Sequence, residues 1–122
     1  MAKEIKLLFV DDEESLRMLV KNQLQQEGFA VDTADDGDTA VEALKTKIYD
    51  LALLDIRMPR MNGIEVLKYI RKNKPLTRVI MLTAVDDLAI AIEAVKNGAN
   101  DYLTKPYDAE NLVASIRKVI AK

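Results

Sequence analysis

Short, nearly continuous apolar runs alternate along this chain with longer segments whose apolar residues recur at helical spacing. "IKLLFV" (5–10), "ALLD" (52–55) and "RVIML" (78–82) have few polar interruptions, as strands do when both of their faces are covered. "AVDTA" (30–34) is weaker and reads as an edge strand. "DYL" (101–103) is short and lies between a helix stop and a Lys-Pro step. In 13–27, Leu16, Leu19, Val20 and Leu24 form one helical stripe; in 108–121, Leu112, Ile116, Val119 and Ile120 form another. Gly28, Gly98 and Asn100 stand where helical patterns stop, and Asp86 and Asp108 where helices would be capped. Asn62 is a further cap candidate, with Gly63 beside it where the backbone needs freedom; Pro59 marks a bend, and Met58 and Met61 are packing residues.

The pattern amounts to β-α units repeated to the end of the chain. Short connections and right-handed crossovers favour an open, doubly wound parallel sheet of five strands, with five helices on its two faces. No linker, repeat or low-complexity tract interrupts the 122 residues, which are read as a single domain spanning 1–122.

In such sheets ligands collect beyond the carboxyl ends of the strands. The residues placed there are Asp11 and Asp12, Asp35 and Asp36, Asp55, Thr83, and Lys105. Composition narrows what they can do. There is no cysteine and no histidine, so thiolate metal sites, disulfides and imidazole catalysis are excluded, and chemistry falls to carboxylates, hydroxyls and lysines. Eighteen basic against 20 acidic residues leave a net charge of −2, which argues against non-specific binding of nucleic acid or anionic membrane. The N-terminal stretch has no secretory pattern, and no segment approaches the roughly 20 apolar residues of a membrane span. A cytoplasmic location is expected.

"LLFVDDEE", "LLDIRMPRMNG", "VIMLTA" and "DYLTKPYD", in this order and at these spacings, resemble the receiver domain of bacterial two-component response regulators. The resemblance covers essentially the whole chain. It implies a flavodoxin-like strand order 2-1-3-4-5, which sets Asp12, Asp55, Thr83 and Lys105 at the ends of neighbouring strands and leaves Asp35 and Asp36 on the edge as turn formers. Three mutually repelling carboxylates at Asp11, Asp12 and Asp55 suit a hard divalent cation, Mg2+ with Mn2+ as the alternative. Asp55 would be the nucleophile that becomes an aspartyl phosphate, with Lys105 and Thr83 supplying charge and a hydrogen bond to the phosphoryl oxygens. By resemblance, Asp12 and Asp55 bind the metal directly, Asp11 acts through water, and the backbone carbonyl of Arg57 completes the protein ligands. A sensor histidine kinase or phosphotransfer protein would be the donor. Thr83 and Tyr102 would form the switch, the aromatic ring turning inward as the hydroxyl moves, and Lys105-Pro106 would be cis. Arg57 and Val85 border the path of the hydrolytic water.

The segment "DDLAIAIEAVKNG" is more apolar than one buried stripe requires, so part of it faces outward. Leu88, Ala91 and Val95, beside Tyr102, are taken as the outward stripe for a downstream effector or a homodimer. The chain would be a stand-alone receiver or the front of a transcriptional regulator, binding neither nucleic acid nor membrane itself and acting as a signalling switch, not an enzyme. The rival from another class is a magnesium-dependent phosphatase with an aspartyl-phosphate intermediate. Those hydrolases carry D-x-D-G-T/V after the first strand, where this chain has "DDEES".

Overall fold

A computed structural model describes residues 4–58 and 61–121. The bend expected at Pro59 lies outside the described residues. The elements run β1 (Lys6–Val10), α1 (Glu14–Gln26), β2 (Ala30–Ala34), α2 (Gly37–Thr46), β3 (Leu51–Asp55), α3 (Gly63–Asn73), β4 (Arg78–Thr83), a 3-10 turn (Val85–Asp87), α4 (Leu88–Lys96), β5 (Asp101–Thr104) and α5 (Ala109–Ile120). All strand pairings are parallel, and the sheet order is β2-β1-β3-β4-β5. The alternating pattern therefore yields the expected doubly wound fold, with the weak segment "AVDTA" at an edge.

The strand alternation divides the core in two. Leu8, Val10, Ala52, Leu54, Val79 and Met81 face α2, α3 and α4. Leu7, Phe9, Leu51, Leu53, Ile80 and Leu82 face α1 and α5. Both faces of the central strands are covered, which is why β1, β3 and β4 read as unbroken apolar runs. The sheet thus forms a rigid plate whose carboxyl edge carries the polar residues singled out above.

Several local expectations change. Leu19 is 54% exposed while Val20 and Leu24 are buried. Leu16, Val20 and Leu24 are spaced by one turn each, and Leu19 sits about 100° from Val20 around the helix, off that line. Asp86 does not cap α4, because the 3-10 turn displaces the cap position to Asp87. Asn100 lies beyond the helix end; its side-chain oxygen accepts from the backbone N–H of Val79 and from Arg71. Gly28 and Gly98 stop their helices at φ values of 95° and 113°, in the region that favours glycine. Asp36 is the N-cap of α2, accepting from the Thr39 N–H, and Asn62 and Asp108 cap α3 and α5 in the same way.

Gly63 has a steric role in place of the conformational one expected. A Cβ at this position would collide with the main-chain carbonyl of Asp55. The start of α3 can close on the end of β3 only without a side chain there.

Candidate functional site

Three strand ends and one loop converge at the carboxyl edge of the sheet. Asp11 directly follows β1, and its backbone N–H donates to Ala34 O at 3.2 Å. Asp55 is the last residue of β3 and Thr83 the last of β4. Lys105 follows β5 and is held there by its own N–H donating to Thr83 O at 2.7 Å. The Lys105-Pro106 bond is cis.

The lysine ammonium lies between two carboxylates, 3.1 Å from Asp11 Oδ2 and 3.3 Å from Asp55 Oδ1. Asp11 and Asp55 are buried and Asp12 is exposed. One carboxylate oxygen from each of the three lies within 4.8 Å of the others. This is the group of acids among the described residues that could share an ion. The donors are all hard oxygens, with no nitrogen or sulfur among them, and the third acid opens to solvent, so the set fits a small divalent cation that keeps some of its water. Asp35 and Asp36 lie outside the cluster.

The electrostatics reflect this crowding. Burial pushes the Asp55 carboxyl up to about 6; Lys105 opposes the shift, and the charges of Asp11 and Asp12 add to it. Burial would lower the Lys105 ammonium, but the carboxylates of Asp55 and Asp11 together raise it. Asp11 is further engaged, since its Oδ1 accepts from the Glu13 N–H at 2.9 Å.

Thr83 is buried, and its hydroxyl donates to the Ala84 carbonyl at 3.1 Å. Tyr102 is half-buried, pairs with Met81 in the ladder and packs on the side of the sheet that α4 covers. Met81 and Thr83 are two residues apart on one strand, so both point toward that face. A groove of about 590 Å³, lined by Asp12, Ile56, Arg57, Met58, Asn62, Ile64 and Ile90, opens beside the acids.

The side chain of Arg57 leaves the acid cluster altogether. It makes a bidentate ion pair with Asp87, Nε to Oδ2 and Nη2 to Oδ1, each at 2.5 Å. The guanidinium holds the Asp87 carboxyl below the usual carboxylate range. Asp87 went unnoticed in the sequence, since nothing local marks a pair 30 residues apart. Tyr107 was missed as well. Its hydroxyl is buried without a hydrogen-bond partner among the described residues, and burial, together with the charges of Asp11, Asp55 and Glu13, raises its pKa.

The outward stripe of α4 requires correction. Ala91 and Ala94 are fully covered, while Leu88, Ile90, Ile92 and Val95 are 38–44% exposed. Alanines at i and i+3 let the helix axis approach the sheet closely, so the smallest residues form the contact and the larger ones flank it. Leu88, Ile92 and Val95 make the exposed stripe, with Ile90 on the opposite flank. Ala91 belongs to the core.

A family model described as the response regulator receiver domain matches residues 7–117. The chain belongs to this family. It is 41% identical over 113 residues to the transcriptional regulatory protein DltR of Streptococcus agalactiae, covering 93% of this chain and 50% of that protein. To PhoP of Bacillus subtilis, an alkaline phosphatase synthesis transcriptional regulatory protein, it is 37% identical over 117 residues, 96% of this chain and 49% of that protein. Among solved structures, the receiver domain of NtrX from Brucella abortus superposes with a TM-score of 0.90 at 32% identity, covering 95% of this chain and 98% of that one. The chain spans about half the length of these curated relatives. It is a two-component receiver domain whose relatives regulate transcription. Among the described residues, no helix is long and apolar enough to cross a membrane.

Proposed function

We propose that residues 1–122 form a single receiver domain that works as a phosphorylation-controlled switch in the cytoplasm, either alone or at the front of a transcriptional regulator. Asp55 accepts a phosphoryl group from the phosphohistidine of a sensor kinase or phosphotransfer protein. A carboxylate oxygen of Asp55 attacks phosphorus in line, the P–N bond breaks, and the electron pair leaves with the imidazole, which is protonated. Lys105 moves its charge from the two carboxylates onto a phosphoryl oxygen. The Thr83 hydroxyl turns from Ala84 O to donate to another. The side chains of Asp12 and Asp55, Asp11 through water, and the carbonyl of Arg57 would hold Mg2+ or Mn2+, which would offset the negative charge of the acids and the incoming group.

One observation carries this reading: an ammonium bridges two buried carboxylates at the sheet edge, with a third acid within ion-sharing distance. The arrangement is polarised for an anion, because the buried nucleophile is already paired with the cation that its product needs. The groove beside Asp12 leaves a path for the donor. The phosphatase alternative lacks comparable support, since the presumed nucleophile ends the third strand and the family match spans residues 7–117.

Moving the Thr83 hydroxyl frees space on the α4 side of the sheet for Tyr102, coupling the site to Leu88, Ile92 and Val95 as the surface for an effector or a second copy. Incubation with acetyl phosphate followed by intact mass measurement tests the reading. One phosphoryl group should be added in the presence of Mg2+ and none after chelation. Equal labelling with and without the metal would refute it.

A further inference from the structure

Asp87 occupies the N-cap position of α4, where an aspartate ordinarily accepts hydrogen bonds from the first-turn N–H groups. Here the backbone of Asp87 continues the 3-10 turn at φ −104° and ψ 14°, not the extended form of the capping residues Asp36, Asn62 and Asp108, and its side chain makes no capping bond. Both oxygens are held by Arg57 instead. No acidic residue lies in the first turn of α4 to take over that task. The ion pair is also asymmetric: the Arg57 side chain is 71% exposed, whereas that of Asp87 is 2% exposed. Arg57 lies two residues past Asp55, so the pair ties the loop leaving the phosphorylation site to the start of the helix that bears the exposed apolar stripe.

The structure holds Asp87 in the grip of Arg57. Turning it onto the α4 N-terminus, with its backbone extended as at the other caps, would satisfy the carboxylate a second way. A residue with two satisfied states is what a bistable element requires, and the cation that would choose between them is already solvent-exposed.

We propose that Arg57 and Asp87 are positioning residues that form a reversible latch on α4. In the unphosphorylated protein Arg57 holds Asp87 away from the helix end. An anion on Asp55 then competes for the guanidinium, offering roughly −1.5 to −2 charges and three acceptor oxygens against one carboxylate. Once released, Asp87 caps α4 through the N–H of Ala89 or Ile90 and reseats the helix, shifting Leu88, Ile92 and Val95. No covalent bond changes in this step; two ion pairs and a cap exchange. The proposal rests on Asp55 being the phosphoacceptor.

Amide hydrogen exchange and 1H–15N spectra of the full chain test it, with and without beryllofluoride and Mg2+ as a stable stand-in for the phosphoryl group. The variants are Arg57→Ala, Asp87→Asn and Asp87→Ala. In the wild type, beryllofluoride should raise protection at Ala89 or Ile90 about fivefold, the effect of a cap of ordinary strength. Arg57→Ala should show that protection without beryllofluoride, because its Asp87 is already released. Asp87→Asn should do so too, since a neutral amide still caps but binds the guanidinium weakly. Asp87→Ala should show it in neither state. A merely structural ion pair would instead lower protection in all three variants, and that result would overturn the proposal. So would an Asp87→Ala response to beryllofluoride equal to that of the wild type. If intact mass shows no phosphoryl group on the protein after acetyl phosphate, the functional reading and the anion-driven half of the latch both fail. The Arg57→Ala comparison still decides the exchange itself.

Discussion

Replacing Asp55 with asparagine should stabilise the metal-free protein, and by an amount that depends on pH. The Asp55 carboxyl is raised to about 6 by burial and by the neighbouring acids, against about 3.9 in an unfolded chain. Because the folded state binds this proton more tightly, the group costs nothing well below pH 4, where both states are protonated. The cost grows as pH rises from about 4, where the unfolded chain loses the proton, to about 6, and levels off above the folded value. A displacement of about two units at roughly 1.4 kcal/mol each gives a plateau near 3 kcal/mol. Local relaxation reduces this, so a gain of about 2 kcal/mol is expected above pH 7, or roughly 5–10 °C in Tm for a chain of this size. Asparagine keeps the shape of the side chain, and Lys105 keeps its contact with Asp11. Thermal melts in chelator from pH 3.5 to 8 provide the assay. The curves of the two proteins should converge below pH 4, separate through about pH 4–6 and stay apart by a constant amount above pH 7. Adding Mg2+ should stabilise the wild type more than the variant. A variant that is less stable than the wild type at pH 7.5 in chelator, or a gap that does not change with pH, would refute this electrostatic reasoning.

Gly63→Ala should destabilise the fold by about 1–3 kcal/mol and slow phosphorylation, because the new methyl group displaces the Asp55 carbonyl; chemical denaturation and labelling rates measure the two effects. Tyr107→Phe should be neutral or stabilising by about 1 kcal/mol, since the hydroxyl it removes is buried without a partner; a loss of stability in urea melts would point to a hydrogen bond that the structure lacks. Ile92→Glu should leave folding and phosphorylation intact and abolish effector binding or dimerisation, which gel filtration of the phosphorylated protein reports. Ala91→Glu should instead cost several kcal/mol by burying an unpaired charge against the sheet, and is read by circular dichroism.

The architecture was legible because the two-sided burial of a parallel sheet leaves a direct trace in "KLLFV", "LALLD" and "VIMLT". The convergence of the candidate site was legible for a related reason. A carboxylate, a threonine and a lysine at the ends of apolar runs are costly to bury singly, and together they compensate one another. What the sequence hid depends on close approach. Ala91 and Leu88 lie on adjoining sides of α4, and hydrophobicity alone favoured grouping them. Only the distance between helix and sheet decides that the alanines touch the core and the larger residues flank it. Gly63 next to an aspartyl carbonyl, and Arg57 gripping Asp87 across 30 residues, are likewise properties of the folded arrangement. Leu19 was misplaced by counting three-residue spacing where the stripe follows four.

The central claim is that the buried acid ending β3 is the atom that takes the phosphoryl group. Reductive trapping tests it most directly: an acyl phosphate reduced with borohydride converts its aspartate to homoserine, which peptide mass spectrometry locates. After acetyl phosphate and Mg2+, homoserine should appear at position 55, and disappear in Asp55→Asn. Homoserine at Asp11, Asp12 or Asp87 in the wild type, or at no position while the intact protein carries phosphate, would contradict the account.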